Sequence, residues 1–336
     1  MAILNTSRIL VTGGTGFLGA YIIKELVRQG FYVRAIRRNN KLPFFIPAGI
    51  LDQVEWIEGD ILDIISLQEA MDGIDGVIHS AGKVSFVNGE RISMYATNIQ
   101  GTANMVNTSL ELGIKKFIYI SSVAAIGRTK NGELIDEGNQ WAEFKPATHY
   151  AASKYHAEME VWRAMAEGLD AVIVNPSTVL GYGDWNMTSC AIFKSVYNEF
   201  PWYTNGINGF VDVDDIARSS VLLLQSDISS ERFLLSSDNW SFHRLFNAIA
   251  DGFSKKHPWR EATPFLGGLA WRLEKLKSWI TGRPTILTRE TAKIAHSSTR
   301  FDNSKILHRL PGFQFTPLQE SIPKICLSYL ENRQPA

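Results

Sequence analysis

Tyr150 and Lys154 stand four residues apart in a stretch that reads as helix from His149 to Glu167. Their side chains therefore share one helical face, a single turn apart. A phenol titrating near about 10 exchanges protons poorly at neutral pH, but an adjacent ammonium stabilises phenolate and draws that value toward the working range. Ser122 follows the apolar run Lys116–Ile120. A hydroxyl at the carboxyl edge of a strand in an α/β sheet is placed to hold a carbonyl oxygen. Near the amino terminus, the apolar strand Arg8–Val11 runs into Thr12-Gly13-Gly14-Thr15-Gly16-Phe17-Leu18-Gly19, and an amphipathic helix follows from Tyr21 to Arg28. Bare glycines there let a dinucleotide's pyrophosphate reach backbone N–H groups at a helix N-terminus. Gly14, Gly16 and Gly19 fit G-x-G-x-x-G, while Gly13, Gly16 and Gly19 fit G-x-x-G-x-x-G, so the turn alone leaves the subtype of cofactor fold open.

These residues need a scaffold, and the pattern supplies one. Tyr32–Ile36, Val54–Glu58, Gly76–His79, Lys116–Ile120 and Ala171–Val174 read as strands, separated by helical patterns that include Ile99–Leu112 and His149–Glu167. Such apolar strands with helical crossovers predict a doubly wound α/β fold, its parallel sheet covered on both faces. Beyond Pro176 the rhythm changes. Residues 181–208 read as aromatic and loop-rich, a helix resumes at Asp214–Gln225, and Arg232–Leu235 reads as a returning strand. From Ser241 the chain is mostly helical, with Phe242–Phe253, Gly267–Ile280 and Thr288–His296 as candidate helices. The expected domains are a dinucleotide-binding unit over 1–180, to which 209–236 returns, and a smaller substrate-binding unit from 181–208 and 237–336.

The chain has 336 residues, 45% of them hydrophobic, which is enough for a sizeable core. Lys plus Arg (34) balances Asp plus Glu (34), so no overall field draws the protein to nucleic acid or anionic lipid. Cys190 and Cys326 lack metal-ligand spacing and suit two buried thiols in a reducing compartment, with no metal site expected. A strand beginning by Ile9 leaves no room for a signal sequence, and no apolar run reaches membrane-spanning length, so a cytoplasmic location is expected.

At the end of the second strand, an acidic residue would bond the ribose 2′-hydroxyl of NAD. Arg37 and Arg38 stand there instead. Guanidinium groups suit a 2′-phosphate, which favours NADP over NAD, against the plain alternative of solvated surface charges. Asp60, with Ile61 beside it, ends the third strand and is placed either to accept from the adenine amine or to cap a helix.

The glycine turn, Ile78-His79-Ser80-Ala81-Gly82, Ser121-Ser122, Tyr150-Ala151-Ala152-Ser153-Lys154 and Asn175-Pro176-Ser177-Thr178-Val179-Leu180-Gly181 together resemble an extended short-chain dehydrogenase/reductase. The likeness runs over essentially the whole chain and is greatest to the branch holding dihydroflavonol-4-reductases, 3β-hydroxysteroid dehydrogenases and hopanoid-associated sugar epimerases. It implies a Rossmann-type nucleotide domain, Tyr150 as proton donor, Lys154 assisting it and binding the nicotinamide ribose, and Ser122 orienting the substrate oxygen. Cofactor contacts are implied at Gly13, Thr15, Gly16, Phe17, Leu18, Gly19, Ser80, Ala81, Gly82, Pro176, Ser177, Thr178 and Val179. Asn98 matches a position supporting the lysine, or else caps the helix from Ile99. The aspartates of Phe210-Val211-Asp212-Val213-Asp214-Asp215 match a motif expected to cap the next helix. A homodimer through Ile99–Leu112 and His149–Glu167 would also follow.

Thr178 occupies the place where nucleotide-sugar epimerases of the superfamily carry asparagine, and no Arg cluster offers itself to a diphosphate. Both point to an apolar or aromatic carbonyl substrate, with a nucleotide-sugar epimerase or dehydratase and a non-catalytic NADP-binding regulator as alternatives. Trp202, Tyr203, Trp240 and Trp271 are candidate pocket walls or core residues. Phe265–Ile280 mixes Trp271, Trp279 and leucines with cations, which reads as a lid or core helix ahead of a membrane contact.

Overall fold

Ile9, Leu10 and Val11 have no exposed surface, as expected of a parallel strand covered on both faces. They belong to β1 (Arg8–Thr12) of the computed structural model, which describes residues 3–85, 88–127, 133–139, 148–187, 189–263 and 295–332. Six further strands complete the sheet: β2 (Tyr32–Arg37), β3 (Val54–Glu58), β4 (Gly76–His79), β5 (Lys116–Ile120), β7 (Ala171–Pro176) and β11 (Glu231–Leu235). Their order is β3-β2-β1-β4-β5-β7-β11, all parallel, with Leu10 opposite Val77, Val77 opposite Phe117 and Ile118 opposite Val172. This is the doubly wound sheet the sequence predicts.

Strand alternation sorts the core into two layers. Ile9, Val11 and Ile118 pack with Ala20, Ile23 and Leu26 of α1 (Phe17–Arg28) and with Ile216, Val221 and Leu224 of α8 (Val213–Gln225). Leu10, Val77, Phe117 and Tyr119 face Leu67 and Met71 of α3 (Ile64–Met71), Met105 and Val106 of α5 (Gly101–Glu111), and Ala157 and Val161 of α6 (His149–Ala166). Tyr119 is thereby aimed at the helix that carries Tyr150 and Lys154. Short α2 (Ala48–Leu51) and α4 (Arg91–Tyr95) lie between, and a π-turn, Ala96–Gln100, leads from α4 into α5.

A three-stranded sheet of β8 (Thr178–Leu180), β10 (Ile207–Asp212) and β12 (Asp238–Ser241) adjoins the large one. The chain passes from the large sheet to the small one twice, through Ser177 alone from β7 to β8 and through Ser236 and Ser237 from β11 to β12, and returns from β10 to β11 through α8. Both steps are stitched by backbone bonds, Ser177 N to Leu235 O at 2.9 Å and Ser237 N to Phe210 O at 2.8 Å. A third core packs this sheet against α7 (Cys190–Tyr197), α9 (Phe242–Gly252) and α11 (Leu318–Glu331), with Phe193, Phe210, Trp240, Leu245 and Ile322 buried in it. Two strand pairs, β6 (Leu134–Ile135) with β14 (Arg300–Phe301) and β9 (Trp202–Tyr203) with β13 (Arg260–Glu261), and the short helix α10 (Ser304–Arg309) complete the described chain.

Two sequence expectations change, and a third falls outside the described residues. Helix α1 starts at Phe17, a turn before Tyr21, because Gly19 is a packing residue: a Cβ there would lie 2.2 Å from Gly13 O. Residues 181–208 contain α7 as well as loop. Its buried Cys190, Phe193 and Val196 recur every third position, too short a pattern to stand out. The candidate helix Gly267–Ile280 and the segment Phe265–Ile280 lie outside the described residues, as does nearly all of Thr288–His296.

Candidate active site

Gly13 adopts φ +71°, a left-handed conformation that suits glycine, and a Cβ on it would lie 2.7 Å from Ala81 N. Gly16 N donates to Gly13 O at 2.9 Å, and Gly16 then opens α1 with no side chain capping its first N–H groups. A helix start of this kind can receive an anion. Gly14 faces the other way, where a Cβ would meet Ile23, Ala35 and Trp56. The wall of the turn therefore uses Gly13, Gly16 and Gly19, which resolves the two possible spacings in favour of G-x-x-G-x-x-G.

A cavity of about 1240 Å³ begins at this turn and follows the carboxyl edge of the sheet. Its wall includes Gly13, Thr15, Gly16, Phe17, Leu18 and Gly19, then Arg37 and Arg38 after β2, Asp60 and Ile61 after β3, and Ser80, Ala81 and Gly82 after β4. Ser122, Tyr150, Lys154 and the four residues Pro176, Ser177, Thr178 and Val179 complete it. Among the described residues neither Arg37 nor Arg38 has an ion-pair partner; the Arg37 guanidinium lies 5.9 Å from the centre of the Trp56 ring. Asp60 does not cap α3. It turns back to accept from Leu62 N, and Asp63 is the cap, accepting from Ile65 N.

Asn98 is the one expected site residue that the cavity leaves out. It is 1% exposed in the π-turn, where Oδ1 accepts from Lys83 N at 2.7 Å and Nδ2 donates to Lys83 O at 3.0 Å and to Ser153 Oγ at 2.8 Å. It thus holds the chain behind Gly82 to α6, neither touching the cavity nor capping α5. Trp240 is buried in the third core, Tyr203 stacks on His243, and Trp202 lies under Arg260, so none of these aromatics forms the cavity wall. Trp271 lies outside the described residues.

Tyr150 shares a hydrogen bond with the Ser122 hydroxyl, which also accepts from Ala124 N at 3.2 Å. Neighbouring Ser121 points the opposite way, donating to Glu158 Oε2 at 2.8 Å. Burial raises the Tyr150 phenol above its ordinary value, and the bond to Ser122 lowers it only in part. The depression expected from Lys154 is absent here, because Nζ of Lys154 donates instead to Tyr119 Oη at 2.9 Å and to Ile120 O at 2.8 Å. Burial brings the Lys154 ammonium down to about 7, against the upward pull of the Glu158 carboxylate.

The wall beside Gly13 is braced from behind. His79, with no exposed surface, bonds Thr12 Oγ1 at 2.6 Å through Nδ1 and Thr102 Oγ1 at 3.1 Å through Nε2. Thr102 donates its own proton to Asn98 O, and Thr12 Oγ1 accepts from Ala81 N. Only the tautomer protonated at Nε2 satisfies that chain. Burial, helped by the Lys154 charge, pushes His79 down to about 3, so it stays neutral at physiological pH. Sequence reasoning passed over Tyr119 and His79 as working residues, although strand alternation already sends both to the face of β4 and β5 that α5 and α6 cover.

The motif Phe210–Asp215 does more than cap. Asp212 caps α8 by accepting from Asp214 N and also bonds Ser321 Oγ of α11, while Asp215 accepts from Thr316 N and Oγ1. Cys190 and Cys326 are buried free thiols, raised by burial to about 11 and about 12. Among the described residues no cluster of ligating side chains suits a metal, and no helix is long and apolar enough to cross a membrane.

A parallel sheet in this order, a glycine turn at its first helix, and a Ser, Tyr and Lys around one cavity define an enzyme of the extended short-chain dehydrogenase/reductase type. The chain belongs to the NAD dependent epimerase/dehydratase family, whose pattern matches residues 9–235. It is 32% identical over 308 residues to a candidate dihydroflavonol 4-reductase of Synechocystis sp., covering 89% of this chain and 88% of that one. It is 26% identical over 306 residues to sterol demethylase protein B of Methylococcus capsulatus, covering 88% and 90%. The crystal structure of gox2253 superposes with a TM-score of 0.82 at 27% identity, covering 98% of this chain and all of that one.

Proposed function

We propose that this protein is an NADP(H)-dependent carbonyl reductase, or alcohol dehydrogenase in reverse, for a small to medium apolar or aromatic substrate. The observation that carries the reading is the single cavity wall that joins Ser122, Tyr150 and Lys154 to the glycine turn and to Arg37 and Arg38. Two features fit a dinucleotide. No side chain caps the first N–H groups of α1 at Gly16, and Ser177 Oγ is buried at the cavity with no hydrogen-bond partner among the described residues.

In this reading the N–H groups at the start of α1 hold the pyrophosphate, Arg37 and Arg38 the 2′-phosphate, Asp60 and Ile61 the adenosine end, and Ser80–Gly82 and Pro176–Val179 the nicotinamide half. When bound, the nicotinamide supplies or accepts the hydride. Ser122 holds the substrate oxygen by a hydrogen bond, and Tyr150 delivers a proton to it from the same side. Lys154, as ammonium, offsets the negative charge left on the phenol. Residues 181–208 and 237–336 supply the substrate side of the enzyme, and Phe301 from it joins Ile126 and Ile135 of the first unit as apolar wall.

Thr178 favours this substrate class over a nucleotide sugar. Its Oγ1 accepts from Asn208 Nδ2 at 2.8 Å, so the position is occupied by a neutral internal bond. The two relatives carry names that refer to a dihydroflavonol and a sterol, neither of them a nucleotide sugar. The test is a panel of aldehydes, ketones and nucleotide sugars assayed by NADPH absorbance, with Tyr150→Phe as control. Net NADPH consumption that vanishes in Tyr150→Phe, with NADPH binding kept, is expected. Conversion of a nucleotide sugar without net change in cofactor would overturn the reading.

A further inference from the structure

Glu158 is the least expected charge in the molecule: a carboxylate 1% exposed, outside the cavity, on the same helix face as Tyr150 and Lys154 at spacings of eight and four. Four donors converge on it. Ser121 Oγ lies 2.8 Å and Asn175 Nδ2 2.9 Å from Oε2, while Arg232 Nη1 lies 3.1 Å and Trp162 Nε1 3.4 Å from Oε1. The same Asn175 amide donates to Ser122 O at 3.0 Å. Ser122 is thus tied to Glu158 on both sides, through the side chain before it and through its own carbonyl. Tyr119 shares hydrogen bonds with Ser121 and Thr102 while accepting from Lys154, so Glu158 also reaches the Lys154 ammonium through Ser121 and Tyr119.

Arg232 makes this arrangement affordable inside the fold. Unpaired, a buried carboxylate is costly, and the guanidinium supplies the opposite charge. Its remaining N–H groups donate to Glu137 O and Asn139 O. Those carbonyls belong to the segment that carries Ile135 of the cavity wall. One ion pair therefore joins the ends of β5 and β7, the helix α6, the strand β11 and the segment around β6.

We propose that Glu158 and Arg232 are positioning residues: through them the strand end bearing Ser122 and the helix bearing Tyr150 and Lys154 are held in one geometry, and Glu158 is the counter-charge of Lys154. This rests on the assignment of those three residues as the reacting groups. Besides Glu158, the groups facing Lys154 are Tyr119 on β5, His79 on β4 and Tyr150 on its own helix; none is anionic at neutral pH, which leaves the counter-charge to Glu158. The groups facing Glu158 are Arg232, Ser121, Asn175, Trp162 and, farther off, Tyr119.

The test is Glu158→Gln, which keeps an acceptor oxygen and nearly the same volume, with Glu158→Asp as a second variant that keeps the charge but shortens its reach. The Nζ resonance of Lys154, assigned with Lys154→Met, is titrated by 15N NMR in cofactor-free protein, so this readout does not depend on finding a substrate. In Glu158→Gln its midpoint should fall by about one pH unit from about 7. The high-pH limb of kcat for carbonyl reduction should move down with it, kcat should fall by about tenfold, and NADPH affinity should change by less than about twofold. Glu158→Asp should restore most of the midpoint while kcat stays depressed. Variants that titrate and turn over like the wild type, or that lose only melting temperature, would overturn the proposal. Absence of any carbonyl substrate would instead overturn the proposed function and leave the NMR arm to decide this one.

Discussion

Gly13→Ala isolates the phosphate turn, and Gly30→Ala calibrates it. Both glycines have positive φ, +71° and +86°. Each substitution therefore carries backbone strain of about 1 kcal/mol. Their surroundings differ. A Cβ at Gly30 meets nothing within 4 Å, whereas one at Gly13 would lie 2.7–2.8 Å from backbone atoms of Ser80 and Ala81, which cannot rotate away. Overpacking of that kind adds about 1–3 kcal/mol, for a total of about 2–4 kcal/mol at Gly13. An unfolding entropy of about 2.1 cal/mol/K per residue over 336 residues makes 1 kcal/mol worth about 1.4 °C. Thermal unfolding should show a loss of about 1–2 °C for Gly30→Ala and about 3–6 °C for Gly13→Ala. Fluorescence titration should show unchanged NADPH affinity for the first variant and at least about tenfold weaker binding for the second, because the displaced turn carries the donors of α1. Equal melting points would refute the close contact of Gly13 with Ser80 and Ala81, and unaltered NADPH affinity in Gly13→Ala would refute the placing of the cofactor at this turn.

Replacing Arg37 and Arg38 with Gln should weaken NADPH by about 10- to 100-fold per charge-assisted bond lost and leave NADH nearly unchanged; an unchanged NADPH/NADH ratio in competitive binding removes both from the 2′-phosphate. Ser122→Ala should reduce turnover by about 10²-fold with NADPH affinity intact, since it removes both the substrate bond and the one influence that lowers the Tyr150 phenol; steady-state kinetics at equal cofactor saturation decides. Asp212 is raised by burial from 3.8 to about 6, so its contribution favours folding while protonated, is fully present below about pH 4 and is lost as pH rises through about 6. Asp212→Asn, which keeps the acceptor that caps α8, should therefore gain up to ~3 kcal/mol on the wild type between pH 4 and pH 7 in urea unfolding; a constant difference across that range would contradict the shift.

The sheet was legible because its strands are rich in apolar residues and separated by helical patterns: Val54–Glu58, Gly76–His79 and Lys116–Ile120 end where the sequence pattern ends them. The smaller sheet was not, since β8 has three residues and β10 begins inside an aromatic stretch, where period-two alternation has no length to show itself. The cavity wall was legible where one local motif carries it, as in the glycine turn and Pro176–Val179. It left two readings open at Asn98 and at Asp60, whose types fit several local roles that the sequence alone does not decide between. Tyr119 as partner of Lys154, 35 residues away, and Arg232 as partner of Glu158, 74 away, depend on strand register, which no local spacing encodes. The recurrence of Tyr150, Lys154 and Glu158 every fourth residue was the one local clue to that network.

The two steps between the sheets have a mechanical consequence. A hinge needs a stretch of chain free to change its φ and ψ. Here the joints are one residue and two residues long, run side by side, and are each cross-bonded to the neighbouring strand. Gly209 closes the gap further, where a Cβ would strike Ser236 Oγ and Phe301. The joint behaves as a weld, so the sheets transmit torque and do not swing apart like the leaves of a door.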